Sequence, residues 1–209
     1  MKRSIITTKD GSKTIRLEDW DEHYHSTYGA IQESQHVYIE AGLDYYNELY
    51  QPKTLKVLEA GFGTGLNALL SYFWGEHHGV SVDYTGLEAY PISNEEHLAM
   101  EYHRELVSVS AQQVYEDLYK AKWEDWSSIS KIFQLKKNKM FFFDLKLKQE
   151  VDVVFYDAFG PSVQPELWEA PLFRKFYEAL TPGGFFVTYC VKGTARRALQ
   201  AIGFEVDII

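Results

Sequence analysis

Two short stretches carry residues whose types and spacing could do chemistry. In "VVFYDAFGPSVQPELW", Val153 to Trp168, four apolar or aromatic residues run into a carboxylate, Asp157, then into Phe159, Gly160 and Pro161. In "LEAGFGTGLN" another apolar run ends on Glu59 and opens into Gly61, Phe62, Gly63, Thr64, Gly65 and Asn67. A carboxylate at the tip of a core strand is a candidate proton acceptor; the plain alternative is a cap on the following turn. Pro161 stiffens that turn.

Glycines after a strand let the backbone turn tightly and let a ligand approach the main chain. Amides at the start of the next helix then point at the ligand. The spacing here is Gly-x-Gly-x-Gly, with Leu66 where a dinucleotide fingerprint would place its last glycine. No Lys-Ser/Thr pair follows, so the loop is not a nucleotide-triphosphate P-loop. An acid at Glu59 would repel a pyrophosphate and receive a cationic group. A cofactor with an amino-acid tail and a sulfonium fits, which describes S-adenosylmethionine. The next strand ends in Glu88, placed to accept both ribose hydroxyls.

These residues need strand tips brought side by side. "RSIITTKDGSKTIRL" reads as a hairpin around Asp10-Gly11. "IQESQHVYIEAGLDYYNELY" has helical spacing, with Val37, Leu43, Tyr46 and Leu49 on one face, and Pro52 ends it. Strands then alternate with helices. "LKVLEA", "VSVDYTGLEA", "FQLKKNKMFFF", "VDVVFYD", "FFVTYC" and "FEVDII" read as strands. "GLNALLSYFWGEHH", Ile92 to Leu106, "QVYEDLYKAKWEDW", Leu167 to Leu180 and Thr194 to Ala201 read as helices, with Thr181-Pro182-Gly183-Gly184 as a closing turn. Such alternation predicts an α/β fold, a mostly parallel doubly wound sheet with helices on both faces. Ligands then bind beyond the carboxyl ends of the strands, at the switch point.

The 209 residues suffice for one well-cored domain, and a net charge of −9 argues against an overall coat of nucleic-acid-binding charge while permitting a local basic patch. The single cysteine, Cys190, reads as a core thiol in a reducing, cytoplasmic setting. "MKRSIITTKDGSKT" lacks the apolar core of a signal peptide, and no stretch is long and apolar enough to span a membrane.

"EAGFGTGLN", "DAFGPSVQPELW", "TPGGFFVTYCVKGTARRALQAIGF" and the leader "EHYHSTYGAIQESQHVYIEAGL" resemble the methyltransferase domain of the MnmC-type tRNA wobble-uridine enzymes, in its stand-alone form. The resemblance implies a Rossmann-like class I S-adenosylmethionine-dependent methyltransferase fold over 53–209, with 1–52 as a hairpin-and-helix extension packed on it. It implies methyl transfer from S-adenosylmethionine to the amine of 5-aminomethyl-2-thiouridine at wobble position 34, with the tRNA anticodon stem-loop as partner. It further implies that a separate enzyme supplies the aminomethyl group, that this chain carries no FAD, and that no metal takes part. The family's adenine-contacting acid is matched only by Asp144, and the sequence stops at "FEVDII", short of the antiparallel strand with which the family's fold usually ends.

For that chemistry Asp157 would orient the substrate nitrogen and take up its proton, and Phe159 would stack on the uracil. Glu33 is a candidate for the methionine end of the cofactor, and Tyr24, His25, Ser26 and His36 are further leader candidates. Pro161, Trp168, Arg196 and Arg197 are candidates for the substrate side. His23, His25 and His36 lack a metal-ligand spacing. An aminopropyltransferase, a small-molecule N-methyltransferase and a non-catalytic cofactor-binding module remain alternatives.

Overall fold

The computed structural model describes residues 2–106 and 108–208. Two antiparallel strands, β1 (Arg3–Thr7) and β2 (Lys13–Leu17), pair across the Asp10-Gly11 turn, and a two-residue β3 (Glu22–His23) adds to β2. The turn forms because Asp10 accepts from the Ser12 amide and Gly11 adopts a positive φ of 88°. A continuous helical run follows: α1 (Ala30–Ser34), a π-helical stretch (Gln35–Asp44) and α2 (Tyr45–Tyr50).

The main sheet holds six strands in the order β6-β7-β5-β4-β8-β9, from β4 (Thr54–Ala60), β5 (Ser81–Leu87), β6 (Trp126–Ser128), β7 (Phe133–Asn138), β8 (Val151–Tyr156) and β9 (Leu180–Val187). All neighbours run parallel except β6 against β7. Helices α3 (Leu66–His78), α4 (Asn94–Met100), α5 (Ala111–Lys120), α6 (Ala170–Ala179) and α7 (Gly193–Ile202) connect them.

Both faces of the sheet are apolar, and strand alternation sorts the side chains between them. Leu55, Val57, Val153 and Phe155 join a core with α3, α5 and the π stretch; Leu58, Ala60, Val154 and Tyr156 join one with α6 and α7. Ile15, Tyr38, Ile39 and Leu43 of the extension belong to the first core. The chain crosses over between β4 and β8, so the crevice beyond their carboxyl ends is the switch point.

Several expected elements differ. Leu49 is exposed while Tyr38, Ile39 and Gly42 are buried, because π winding rotates the buried face away from a 3.6-residue period. The helix expected over Ile92 to Leu106 breaks at Glu101, whose φ is 49°, into α4 and a 3₁₀ turn (Tyr102–Arg104). The next helix stops at Lys120, and Trp126 starts a strand. The strand expected through Phe141–Phe143 stops at Asn138, where a short 3₁₀ turn (Phe142–Asp144) follows.

The Thr181–Gly184 turn lies inside β9 as a bulge: Leu180 pairs with Val151 and Phe185 with Val153. β9 ends at Val187, so Cys190 sits half-buried in a loop and not in the core. Residues 204–208 form no strand. Gly203 at φ 114° closes α7, and Phe204 then packs on Tyr177 and Phe186, which carries the segment off the ladder.

Candidate active site

A cleft of about 960 Å³ opens beyond the carboxyl ends of β4, β5 and β8. Its floor holds a connected set of polar groups. Glu59, at the tip of β4, is 1% exposed and accepts from Tyr84 Oη at 2.8 Å and from Asn67 Nδ2 at 2.8 Å. The same Asn67 nitrogen donates to Asp157 Oδ2 at 2.9 Å, and Tyr38 Oη donates to Asp157 Oδ1 at 2.8 Å. Asn67 sits on the first turn of α3, so its reach to both strand tips follows from the glycine loop turning directly into that helix.

Burial pushes the Asp157 carboxyl up to about 7; the bonds from Tyr38 and Asn67 pull the other way, and Glu33 nearby adds to the rise. Burial, with Asp157 alongside, holds Glu59 well above the usual carboxylate range. Two linked carboxyl groups with no ion-pair partner among the described residues favour a single charge between them.

Gly61, Gly63 and Gly65 have φ of 93°, 50° and 80°. A Cβ on Gly61 would drive into the backbone carbonyl of Asp157, and one on Gly63 would lie 3.2 Å from the Tyr24 ring. The amides of Gly61 and Phe62 both donate to the Leu87 carbonyl, at 3.0 and 2.9 Å. The Gly63 amide donates to Glu88 Oε2 at 2.9 Å, and the Tyr90 amide to Glu88 Oε1 at 2.8 Å. The loop is thus strapped to the tip of β5, and Glu88 is fixed on the cleft wall on the same side of the sheet as Asp157.

The N-terminal sheet roofs the cleft. Trp20 and Tyr24 meet Phe159 edge-on, with ring centroids 6.0 and 5.2 Å away. Arg3 clamps the roof to the far wall through Glu96 and the Tyr90 carbonyl. Glu33 lines the cleft and accepts from the Ser26 amide at 2.9 Å; burial raises its carboxyl. His25 is buried, bonded to Thr14 Oγ1, and lowered to about 4 by burial, so it is neutral near pH 7.

Of the residues singled out from sequence, Glu59, Gly61, Phe62, Gly63, Asn67, Glu88, Glu33, Asp157 and Phe159 all line this cleft, as do Tyr24, His25 and Ser26. Thr64 and Gly65 line a smaller cavity instead, and a buried bond of 2.8 Å between Thr64 Oγ1 and the Tyr102 hydroxyl braces the loop. Asp144 is exposed and outside the cleft; Phe141, Phe142 and Phe143 line the wall instead. Arg196 and Arg197 are exposed on α7, away from the cleft, and Pro161 lies outside its lining. His36 faces solvent beside Glu40.

Trp168 is a buried pillar: its indole N–H donates to the Phe159 carbonyl at 2.7 Å, and its ring packs against Tyr156 and Phe173. No base can stack on it. Among the described residues no cluster of potential metal ligands is present, and no helix is long and apolar enough to cross a membrane. Sequence reasoning missed Tyr38, Tyr84, Trp20 and Tyr189. For the three tyrosines the only signal was that a tyrosine hydroxyl needs a partner when its ring is packed away from water; Trp20 gave none.

S-adenosylmethionine fits these residues. The glycine loop turns at positive φ along the cleft floor, and Asn67 Oδ1 is buried without a partner, an acceptor at that floor for a cationic amine. Glu88 retains lone pairs for ribose hydroxyls. Two expected results separate cleft from surroundings. Asp144→Ala and the Arg196→Ala/Arg197→Ala pair should each leave cofactor affinity within about twofold by calorimetry, as for exposed positions generally. Trp168→Phe, which strands the Phe159 carbonyl, should lower the free energy of urea unfolding by roughly 1–3 kcal/mol.

Residues 111–208 match a family described as S-adenosyl-L-methionine-dependent methyltransferase. The chain is 24% identical to the tRNA 5-methylaminomethyl-2-thiouridine biosynthesis bifunctional protein MnmC of Actinobacillus pleuropneumoniae (serotype 5b, strain L20), across 94% of this chain and 32% of that protein. It is 27% identical to the MnmC protein of Leptospira interrogans (strain Fiocruz L1-130), across 97% of this chain and 32% of that one. The chain therefore spans about a third of the length of these relatives. The crystal structure of MNMC2 from Aquifex aeolicus superposes with a TM-score of 0.77 at 24% identity, covering 98% of this chain and 65% of that one. By sheet order and by likeness along nearly its whole length, the chain has the fold seen in the Aquifex aeolicus MNMC2 structure and is similar in sequence to the MnmC proteins, and its residues 111–208 match an S-adenosyl-L-methionine-dependent methyltransferase family.

Proposed function

We propose that the chain is an S-adenosylmethionine-dependent N-methyltransferase that converts 5-aminomethyl-2-thiouridine to 5-methylaminomethyl-2-thiouridine at the tRNA wobble position. The observation that carries this reading is the Asp157 carboxylate, set beside the glycine cradle, oriented by two hydrogen bonds and tuned to about 7. The cofactor, when bound, supplies an electron-poor methyl on its sulfonium. Asp157 accepts a hydrogen bond from the substrate nitrogen, which aims the lone pair, and takes the proton the amine must lose. A primary alkylamine arrives largely as an ammonium at neutral pH, and an acceptor tuned near 7 both attracts and deprotonates it. Phe159, held edge-on by Trp20 and Tyr24, offers a face to the uracil. The roof limits water, which sharpens these polar contacts.

An anticodon base can be splayed out of its loop at low cost. The name shared by the relatives, tRNA 5-methylaminomethyl-2-thiouridine biosynthesis, supports this substrate. The substrate of this reaction already carries its aminomethyl group on uracil C5, which a different enzyme supplies. The work takes place in the cytoplasm, where tRNA is processed. The test is transfer of label from methyl-labelled cofactor to tRNA lacking only the terminal methyl. We expect label in the wobble nucleoside; label confined to polyamines or small metabolites would overturn the assignment.

A further inference from the structure

The π-helical stretch Gln35–Asp44 is unusual. A run of this winding spreads its residues around the axis differently from an α-helix, and such stretches tend to occur at functional sites. Here it brings one side chain under the site. Tyr38 is 1% exposed and does not line the cleft, yet its hydroxyl lies 2.8 Å from Asp157 Oδ1 and 3.4 Å from the Tyr156 carbonyl. The approach depends on Gly42, one turn on, where a Cβ would stand 3.1 Å from the Phe155 ring. The helix can therefore lie close on β8, and Tyr38 packs against Phe155 at a centroid distance of 5.1 Å.

We propose that Tyr38 is a positioning residue for Asp157: its hydroxyl, with the Asn67 amide, holds the two carboxylate oxygens so that the remaining lone pairs face the substrate nitrogen. This rests on the reading of Asp157 as the proton acceptor for methyl transfer. A carboxylate bonded once through each oxygen cannot rotate about its Cβ–Cγ bond without breaking both bonds. The phenol can only donate to it, since burial and the adjacent carboxylate hold the Tyr38 hydroxyl protonated, far above its ordinary range. A donor to the ionised form favours ionisation. The other titratable groups that bear on Asp157 are Glu33 from α1, Glu59 from β4, Tyr84 from β5, Tyr102 and Tyr189. None is a cation, so the two neutral donors oppose the cost of burial.

The test is Tyr38→Phe, which keeps the ring and removes only the donor. Titration of the Asp157 carboxyl by carbon NMR should move up by about one pH unit, and the acid limb of kcat/KM should move with it, about a tenfold loss at pH 6 that recovers toward wild type at pH 9. Because Tyr38 does not line the cleft, cofactor affinity should hold. An unmoved Asp157 titration in a variant that melts like wild type overturns the proposal. A titration that moves while the kcat/KM limb stays still supports Tyr38's hold on Asp157 and instead removes Asp157 as the proton acceptor. If Tyr38→Phe fails to fold, the same titration in Asn67→Ser decides: a carboxyl unmoved by loss of the other donor overturns the two-donor arrangement.

Discussion

Asp157→Asn is expected to lower kcat for methyl transfer by at least about a hundredfold at pH 7.5 while cofactor affinity, read by calorimetry, stays within about threefold. The amide keeps the shape of the carboxylate and loses its ability to take a proton. The loss should therefore fall on turnover. The pH profile gives an independent reading. With the Asp157 carboxyl near 7 and the ionised form required, wild-type kcat/KM should rise through pH 7 and level off above it. In the Asn variant that limb should vanish. Stability should move the other way. A carboxyl raised from 3.8 in the folded state makes its ionised form a burden, so wild-type stability falls as pH rises from about 4 to 7. The gap in favour of the Asn variant should open over that window and stay constant above it, as expected where a site is kept strained for activity. Full turnover in the variant would remove Asp157 from the mechanism.

Gly61→Ala should be the most damaging single change in the cofactor loop. At φ 93° an alanine is strained by roughly 1–3 kcal/mol. Its methyl would also run into the Asp157 carbonyl, a backbone atom of the neighbouring strand tip that cannot swing aside. Relief requires β4 and β8 to part, which breaks the Asp157 amide to Ala60 carbonyl bond of 2.9 Å and displaces the Asp157 carboxylate. We expect a loss of about 3 kcal/mol or more in urea unfolding and at least a tenfold weaker cofactor. Gly79→Ala isolates the backbone term. Its φ is 67°, yet no atom lies within 4 Å of the added methyl, so only about 1 kcal/mol should be lost. Equal effects at the two positions would mean that the crowding at Gly61 is unimportant.

Much of this site was legible in the one-dimensional pattern because its parts sit at strand tips. An apolar run followed by glycine or acid marks a tip, and a parallel sheet brings tips to one edge whatever the packing details. The pattern therefore places Glu88 and Asp157 at the same end of the sheet. Asp144 sits in a turn past the end of its strand, and Arg196 and Arg197 sit on the exposed face of α7; neither a turn's direction nor the ligand-facing side of an exposed helix is encoded by periodicity. Trp168 failed because a ring near a site looks the same in sequence whether it faces the ligand or the core. An α period puts Leu49 on the buried face and leaves Tyr38 out of it, whereas π winding over Gln35–Asp44 turns Tyr38 inward and leaves Leu49 exposed.

From the residues alone came the alternation of strands and helices, the glycine turn, and the two acids at strand tips beside one cleft, since these depend on local backbone preference and on which faces avoid water. Tertiary packing alone decided that Tyr38 and Asn67 grip Asp157, that Glu59 lies in the cleft floor with both oxygens occupied, and that the N-terminal strands form a roof. Such contacts join residues far apart in the chain, and their geometry is set by how closely a helix or sheet can approach its neighbour, a property of the assembled surfaces and not of any one segment.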